Sequence, residues 1–294
     1  MRVFGRCHPF VLLVYFLSVL LVAMFVSNPI LQAQALLGGI GFCLLLRRRS
    51  DRSRNAGFYL LLFFLITLTN PFFSHSGETT LLYVNRFPIT LEALLYGAAL
   101  AVMLIGVMLW CRCLSEVMSS DKLLYLFGRG LPKLSLILSM ALRLIPLFKR
   151  QMQQISRAQK TMGQYPDGGK YTHRIKGAMR VFLATVSWSL ESAMETAASM
   201  KARGYGLRGR TQFSLYRFRP GDAVLLTSCV LLLGVTLAGT ASGDVAFYYY
   251  PHISGLMLTP HAVSVYAAYA ALVFLPFFIE GKEALTWKYC VSKI

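Results

Sequence analysis

"LEALLYGAALAVMLIGVMLW", residues 91–110, carries one charged side chain, Glu92, and then eighteen residues without another. A run of about 20 apolar residues, rising 1.5 Å each as a helix, matches the ~30 Å hydrocarbon core of a bilayer. It reads as a membrane-spanning helix. Similar runs lie at 10–26, 30–46, 57–69, 223–238 and 262–279, which makes six spans. The run at 57–69 is short and must extend through Pro71-Phe72-Phe73 or meet a thinned bilayer. With 56% hydrophobic residues, 14% charged and a mean hydropathy of +0.55, the composition agrees. The expected fold is all-α: a polytopic membrane protein of about six transmembrane helices.

The 30 Lys and Arg residues fix an expected orientation. Two precede the first span, five lie in "RRRSDRSR" (47–54), nineteen fall between 111 and 220, and three follow residue 280; Arg86 is the exception. The positive-inside rule then places both termini and the 111–220 segment in the cytoplasm of a multi-pass plasma-membrane protein. The loops near Asn28-Pro29, 70–90 and 240–260 face outward, where Tyr248, Tyr249 and Tyr250 suit an interfacial aromatic belt. The first span leads into Asn28-Pro29 without an A-x-A-like cleavage site, so it is expected to be retained. Three parts follow: four spans in 1–110, a cytoplasmic block in 111–220, and two spans in 221–294.

The cytoplasmic block holds 19 basic and five acidic side chains, a net of +14 of the chain's +18. It contains two long stretches of helical apolar periodicity. The first runs from about 133 to 162, with Ala141, Phe148, Ile155 and Met162 seven apart and Ile145 and Met152 on the companion seam. Its other surface is basic, with Arg143, Lys149, Arg150, Arg157 and Lys160, and Pro146 is expected to bend it. The second runs from about 178 to 203. There a row of small residues, Ser189, Ala193 and Ala197, would let two helix backbones cross closely. Glu191 and Glu195 beside that row repel mildly, and basic residues of the first helix are their expected partners.

Several familiar motifs fail on physical grounds. Gly204, Gly206 and Gly209 spell G-x-G-x-x-G, but they follow a helix rather than open one, and a helix C-terminus repels phosphate. Gly204 instead sits where a left-handed C-cap belongs. "GQYPDGGKYT" (163–172) misses a Walker A loop by one residue and has Tyr171 where Ser or Thr is needed. Cys111-x-Cys113 lacks further ligands, and the five histidines are scattered, so neither a metal nor a cofactor is expected. Nucleic acid needs an exposed basic and aromatic surface, which a membrane-tied block with apolar stripes does not supply.

"LPKLSLILSMALRLIPLFKRQMQQISRAQKTMG" (131–163) followed by "SWSLESAMETAASMKARGYGLRGRT" (187–211) resembles the paired coupling helices of the transmembrane (T) component of energy-coupling factor (ECF) transporters, including the membrane component of the cobalt-type importers. In that family each helix ends in Ala-Arg-Gly. Ala202, Arg203 and Gly204 match the motif in full. The first copy reads Thr161, Met162, Gly163 after Arg157-Ala158-Gln159, with Met162 in the arginine's place and Lys160 beside it. The resemblance implies two crossing cytoplasmic coupling helices between the fourth and fifth spans of a non-catalytic scaffold. Its implied partners are two cytosolic ABC ATPase subunits, which bind the ATP, and a small membrane S component that captures a vitamin or a metal ion. A permease with its own substrate pathway is the alternative, and it calls for polar residues inside the spans. A membrane enzyme would need His, Asp, Glu or Cys clustered at one depth.

Overall fold

In a computed structural model, nine helices and one β-hairpin are formed among the described residues, which are 4–46, 52–73, 79–84, 87–163, 171–207, 216–250, 254–255 and 259–291. After a 3-10 turn at Phe4–Arg6 the order is α1 (Pro9–Phe25), α2 (Pro29–Leu46), α3 (Arg52–Phe73), β1 (Thr80–Val84), β2 (Phe87–Thr90), α4 (Leu91–Val117), α5 (Ser120–Gly130), α6 (Pro132–Thr161), α7 (Tyr171–Ala202), α8 (Pro220–Ala241) and α9 (Pro260–Val291). The helices divide into two units, Met1–Leu123 with Tyr216–Ile294, and Leu124–Leu215.

Apolar helices occupy all six expected span positions. Four are long and apolar enough to cross a membrane by length and composition: Pro29–Leu46, Leu91–Val117, Pro220–Ala241 and Pro260–Lys282. Pro9–Phe25 and Gly57–Phe73 are shorter. The sequence flagged the second of these but not the first, whose 17 residues rise only about 26 Å. Much of the apolar surface is turned outward. Phe58, Leu61, Phe64, Leu65, Leu68 and Phe72 of α3 are all exposed, a stripe that lipid can cover and water cannot without cost.

In the first unit α4 packs against α1, α2 and α3, while α8 joins α1 and α9 joins α2. The core is aromatic. Phe42 stacks on Trp110 at 5.7 Å, Phe16 meets both rings edge-on, and Phe4 of the leading turn presses against Tyr15 and Phe42 at 5.3 and 5.9 Å. Such edge-to-face pairs add about 0.5–1.5 kcal/mol each beyond burial. Polar tips in this core are satisfied locally: Trp110 Nε1 donates to Ala35 O at 2.8 Å, Tyr15 OH to Val273 O, and Tyr269 OH to Val19 O. Gly38 lets α2 come this close, since a Cβ there would overlap Val273 Cγ1.

Two features of the loops expected to face outward differ from the sequence reading. Residues 80–84 and 87–90 pair as antiparallel strands, with Thr80 opposite Thr90 and Val84 opposite Phe87. Thr90 then caps α4 by accepting from Ala93 N, and Glu92 Oε1 accepts from Thr79 N and Thr79 Oγ1. The three tyrosines do not act alike. Tyr249 is buried against Phe247 and Tyr96, Tyr250 meets the same Tyr96, and Tyr248 alone is largely exposed.

The second unit consists of α5 from Leu124 onward, α6 and α7. Ser135 Oγ donates to Leu124 O and ties the start of α6 to α5. The helix α6 continues through Pro146 for 30 residues, and α7 begins seven residues earlier than the periodicity suggested and runs for 32. Their contact is centred on the Phe148–Trp188 pair, 5.8 Å apart and near perpendicular, and on the buried Gly177 and Val181. The row of small residues is not the crossing: Ala193 and Ala197 are exposed, because bulky Trp188 and Phe148 fix the contact nearer the start of α7. Glu191 and Glu195 are exposed and form no ion pair among the described residues.

Candidate functional site

Both long helices end at a glycine in the left-handed region. In α7 the Gly204 amide donates to Lys201 O and the Tyr205 amide to Met200 O, each at 3.0 Å. These two bonds make a Schellman cap, which satisfies carbonyls that the helix leaves open. The cap requires a left-handed residue after the last helical one, and Gly204 supplies it with φ +81°. Arg203 is thereby the C-cap residue. Its side chain is exposed and meets no hydrogen-bond or ionic partner among the described residues. Because the Gly204 and Tyr205 amides already serve the helix carbonyls, the guanidinium is not needed to cap the helix.

At the end of α6, Met162 is the C-cap and Gly163 follows with φ +69°, donating to Lys160 O at 3.0 Å. Met162 N and Thr161 Oγ1 both donate to Ala158 O. Met162 is 61% exposed. Its neighbours Arg157, Ala158 and Lys160 are exposed as well, whereas Gln159 is half-buried with Oε1 lacking a partner among the described residues.

Arg157 and Lys160 also line an open groove of about 450 Å³ with Met152, Gln153 and Ser156 of α6 and Ala178, Val181 and Phe182 of α7. The end of α6 therefore lies against the first half of α7. Arg203 stands 21 residues beyond Phe182, roughly 30 Å along the helix at 1.5 Å per residue. The structure does not gather the expected residues into one site. It forms two stations, one around Arg157, Lys160 and Met162 and the other around Ala202, Arg203 and Gly204.

No group of three or more His, Cys, Asp or Glu side chains able to hold a metal is present among the described residues. Gly206 has φ +100°, a turn following the helix, while Gly209 and the stretch 164–170 lie outside the described residues. The groove between α6 and α7 was not visible in the sequence, since it depends on where the helices cross.

Residues 3–215 match the family model for the cobalt transport protein CbiQ. The energy-coupling factor transporter transmembrane protein EcfT of Listeria innocua is 32% identical over 182 residues, covering 58% of this chain and 69% of the relative. EcfT of Staphylococcus aureus is 28% identical over the same length, covering 58% and 68%. EcfT of Thermotoga maritima is 30% identical over 120 residues, covering 40% and 44%. The family match extends well beyond the two long helices and takes in α1 to α4. The chain belongs to the CbiQ cobalt transport protein family and, with its EcfT relatives, to the multi-pass transmembrane components of energy-coupling factor transporters.

Proposed function

We propose that this chain is the scaffold of an ECF-type ABC importer, linking ATP hydrolysis by two cytosolic ATPase subunits to reorientation of a small membrane S component that carries a vitamin or a transition-metal ion. The observation that carries this reading is the pair of separated helix ends, each finished by a left-handed glycine and each presenting an exposed C-cap side chain. Two stations roughly 30 Å apart along one helix suit two subunits better than one ligand. An arginine can make a bidentate, charge-assisted pair with a carboxylate in a partner groove. Both termini and the 124–215 unit then belong on the cytoplasmic side, in keeping with the distribution of Lys and Arg.

A permease with its own polar pathway is less well supported. Of the seven buried polar side chains, Asn28, Thr90, Glu92 and Asp222 sit at helix ends, Ser18 and Thr236 bond back to their own helices, and Gln32, in the first turn of α2, is the one whose Oε1 lacks a partner among the described residues. Purifying the chain together with the products of its neighbouring genes tests the reading. Two ATPases and a small hydrophobic subunit should accompany it. A chain that purifies alone and transports alone overturns the proposal.

A further inference from the structure

Five consecutive residues, Phe4 to His8, touch three separate parts of the first unit. Phe4 is buried in the aromatic core between Tyr15, Phe16 and Phe42. The carbonyl of Gly5 accepts from Lys122 Nζ at 2.7 Å, and the same ammonium donates to Val117 O, also at 2.7 Å. His8 N donates to Asp222 Oδ1 at 3.2 Å, and the His8 ring meets Phe218 edge-on at 5.3 Å. Asp222 is buried, and its other oxygen accepts from Arg219 N at 3.0 Å.

The places touched are not arbitrary. The chain leaves the first unit after Leu123 and returns to it at Tyr216. Lys122 is the residue before the last one out, and Phe218 to Asp222 follow directly on the way back in. One short segment thus holds both crossings, and it is itself plugged into the core by Phe4. A half-buried ammonium bound by two carbonyls and a buried carboxylate bound by two amides are each costly to release, because a charged group would lose its partners.

We propose that residues 4–8 form a clasp that fixes both chain crossings, and that Lys122 and Asp222 are positioning residues for energy coupling. Movement passed from residues 124–215 enters the first unit by way of Lys122 and of Phe218 to Asp222, and the clasp ties both of these to the aromatic core. This rests on the proposed role as an ECF scaffold, but the clasp itself can be tested apart from it.

Two measurements do so. In the purified chain, hydrogen exchange at residues 4–8 should quicken roughly tenfold or more in Lys122→Met and Asp222→Ala, as loss of charge-assisted bonds predicts, and Lys122→Arg should retain protection. In the complex with its ATPases, spin labels at Leu37→Cys and Met179→Cys, with Cys111 and Cys290 replaced by serine, should report a distance change between ATP-free and vanadate-trapped states. In Lys122→Met that change should shrink by about half or more while ATPase content and ATP turnover persist, and Lys122→Arg should restore it. Unaltered exchange in both disruptive variants overturns the clasp. An unaltered distance change overturns its coupling role. A wild-type chain that holds no ATPase contradicts the scaffold reading instead and leaves the exchange result to judge the clasp.

Discussion

Met162 and Arg203 occupy equivalent positions: each is the C-cap of a long helix, and each is followed by a glycine in the left-handed region, at φ +69° and +81°. One end thus offers a thioether and the other a guanidinium from the same backbone geometry. If both ends seat ATPases, the two seats are chemically unlike. Arg203→Glu should weaken the attachment at its end by about 2–5 kcal/mol, the cost of breaking a buried charge pair. Loss of one ATPase from the purified complex is the expected readout, and wild-type yield of both subunits contradicts it.

On the proposed role, the other end would seat its ATPase through an apolar contact of Met162 and the charges of Arg157 and Lys160. Met162→Ala should lower ATPase retention, and Lys160→Glu or Arg157→Glu should lower it further in pull-downs at raised salt, where weak ionic contacts are screened. If all three variants assemble as the wild type does, the α6 end is not an anchor.

The glycine caps can be tested without touching Arg203 or Met162. Gly204→Ala forces a Cβ into φ +81° and brings it to 3.0 Å from Leu207 Cδ1. At Gly163 nothing lies within 4 Å, so alanine there meets only the conformational cost of about 1 kcal/mol. Gly204→Ala should therefore be the more harmful of the two, fraying the last turn of α7 and reducing ATPase capture although Arg203 is intact. Amide exchange at residues 199–205 measures the fraying.

Phe148→Ala removes the edge-to-face partner of Trp188. Both rings are only half-buried, so the loss should be about 1–2 kcal/mol rather than a full core penalty. Limited proteolysis within 171–190 should speed up while the first unit keeps its resistance. An Ala193 substitution should leave proteolysis unchanged, since that side chain is exposed.

Burial, and after it the charge of Asp222, push the Cys7 thiol up to about 11. A raised pKa keeps the group as thiol below that pH, so reactive thiolate is scarce at pH 8, by roughly 100-fold relative to an ordinary cysteine. Iodoacetamide should label Cys7 correspondingly slowly at pH 8, with the rate rising about tenfold per pH unit until near 11. Labelling at the rate of a free thiol would show that the segment around Cys7 is open.

What could be read from the sequence was what local periodicity encodes. Apolar runs located six helices, and Gly163 and Gly204 marked the ends of α6 and α7 because only glycine takes that backbone turn without strain. The features that escaped depend on distant partners. "TLLYV" (80–84) forms a strand only because 87–90 folds back on it. The crossing of α6 and α7 was expected at small residues, yet two aromatic rings at Phe148 and Trp188 decide it. Lys122 looked like one more positive charge on the inner side, and its two acceptors include a carbonyl 117 residues away.

The first unit is assembled from both ends of the chain, and this bears on synthesis. Tyr15 finds its acceptor at Val273, and Asn28 finds Val245 and Tyr266, more than 200 residues later. At about 5–20 residues per second, the roughly 150 residues between the end of α4 and Val273 take on the order of ten to thirty seconds to emerge. For that interval α1, α2 and α4 stand in the bilayer with the faces meant for α8 and α9 still uncovered. Lipid can occupy the apolar faces, and the Asn28 amide, at the helix end, gains its bonds to Val245 and Tyr266 only when the last two helices arrive.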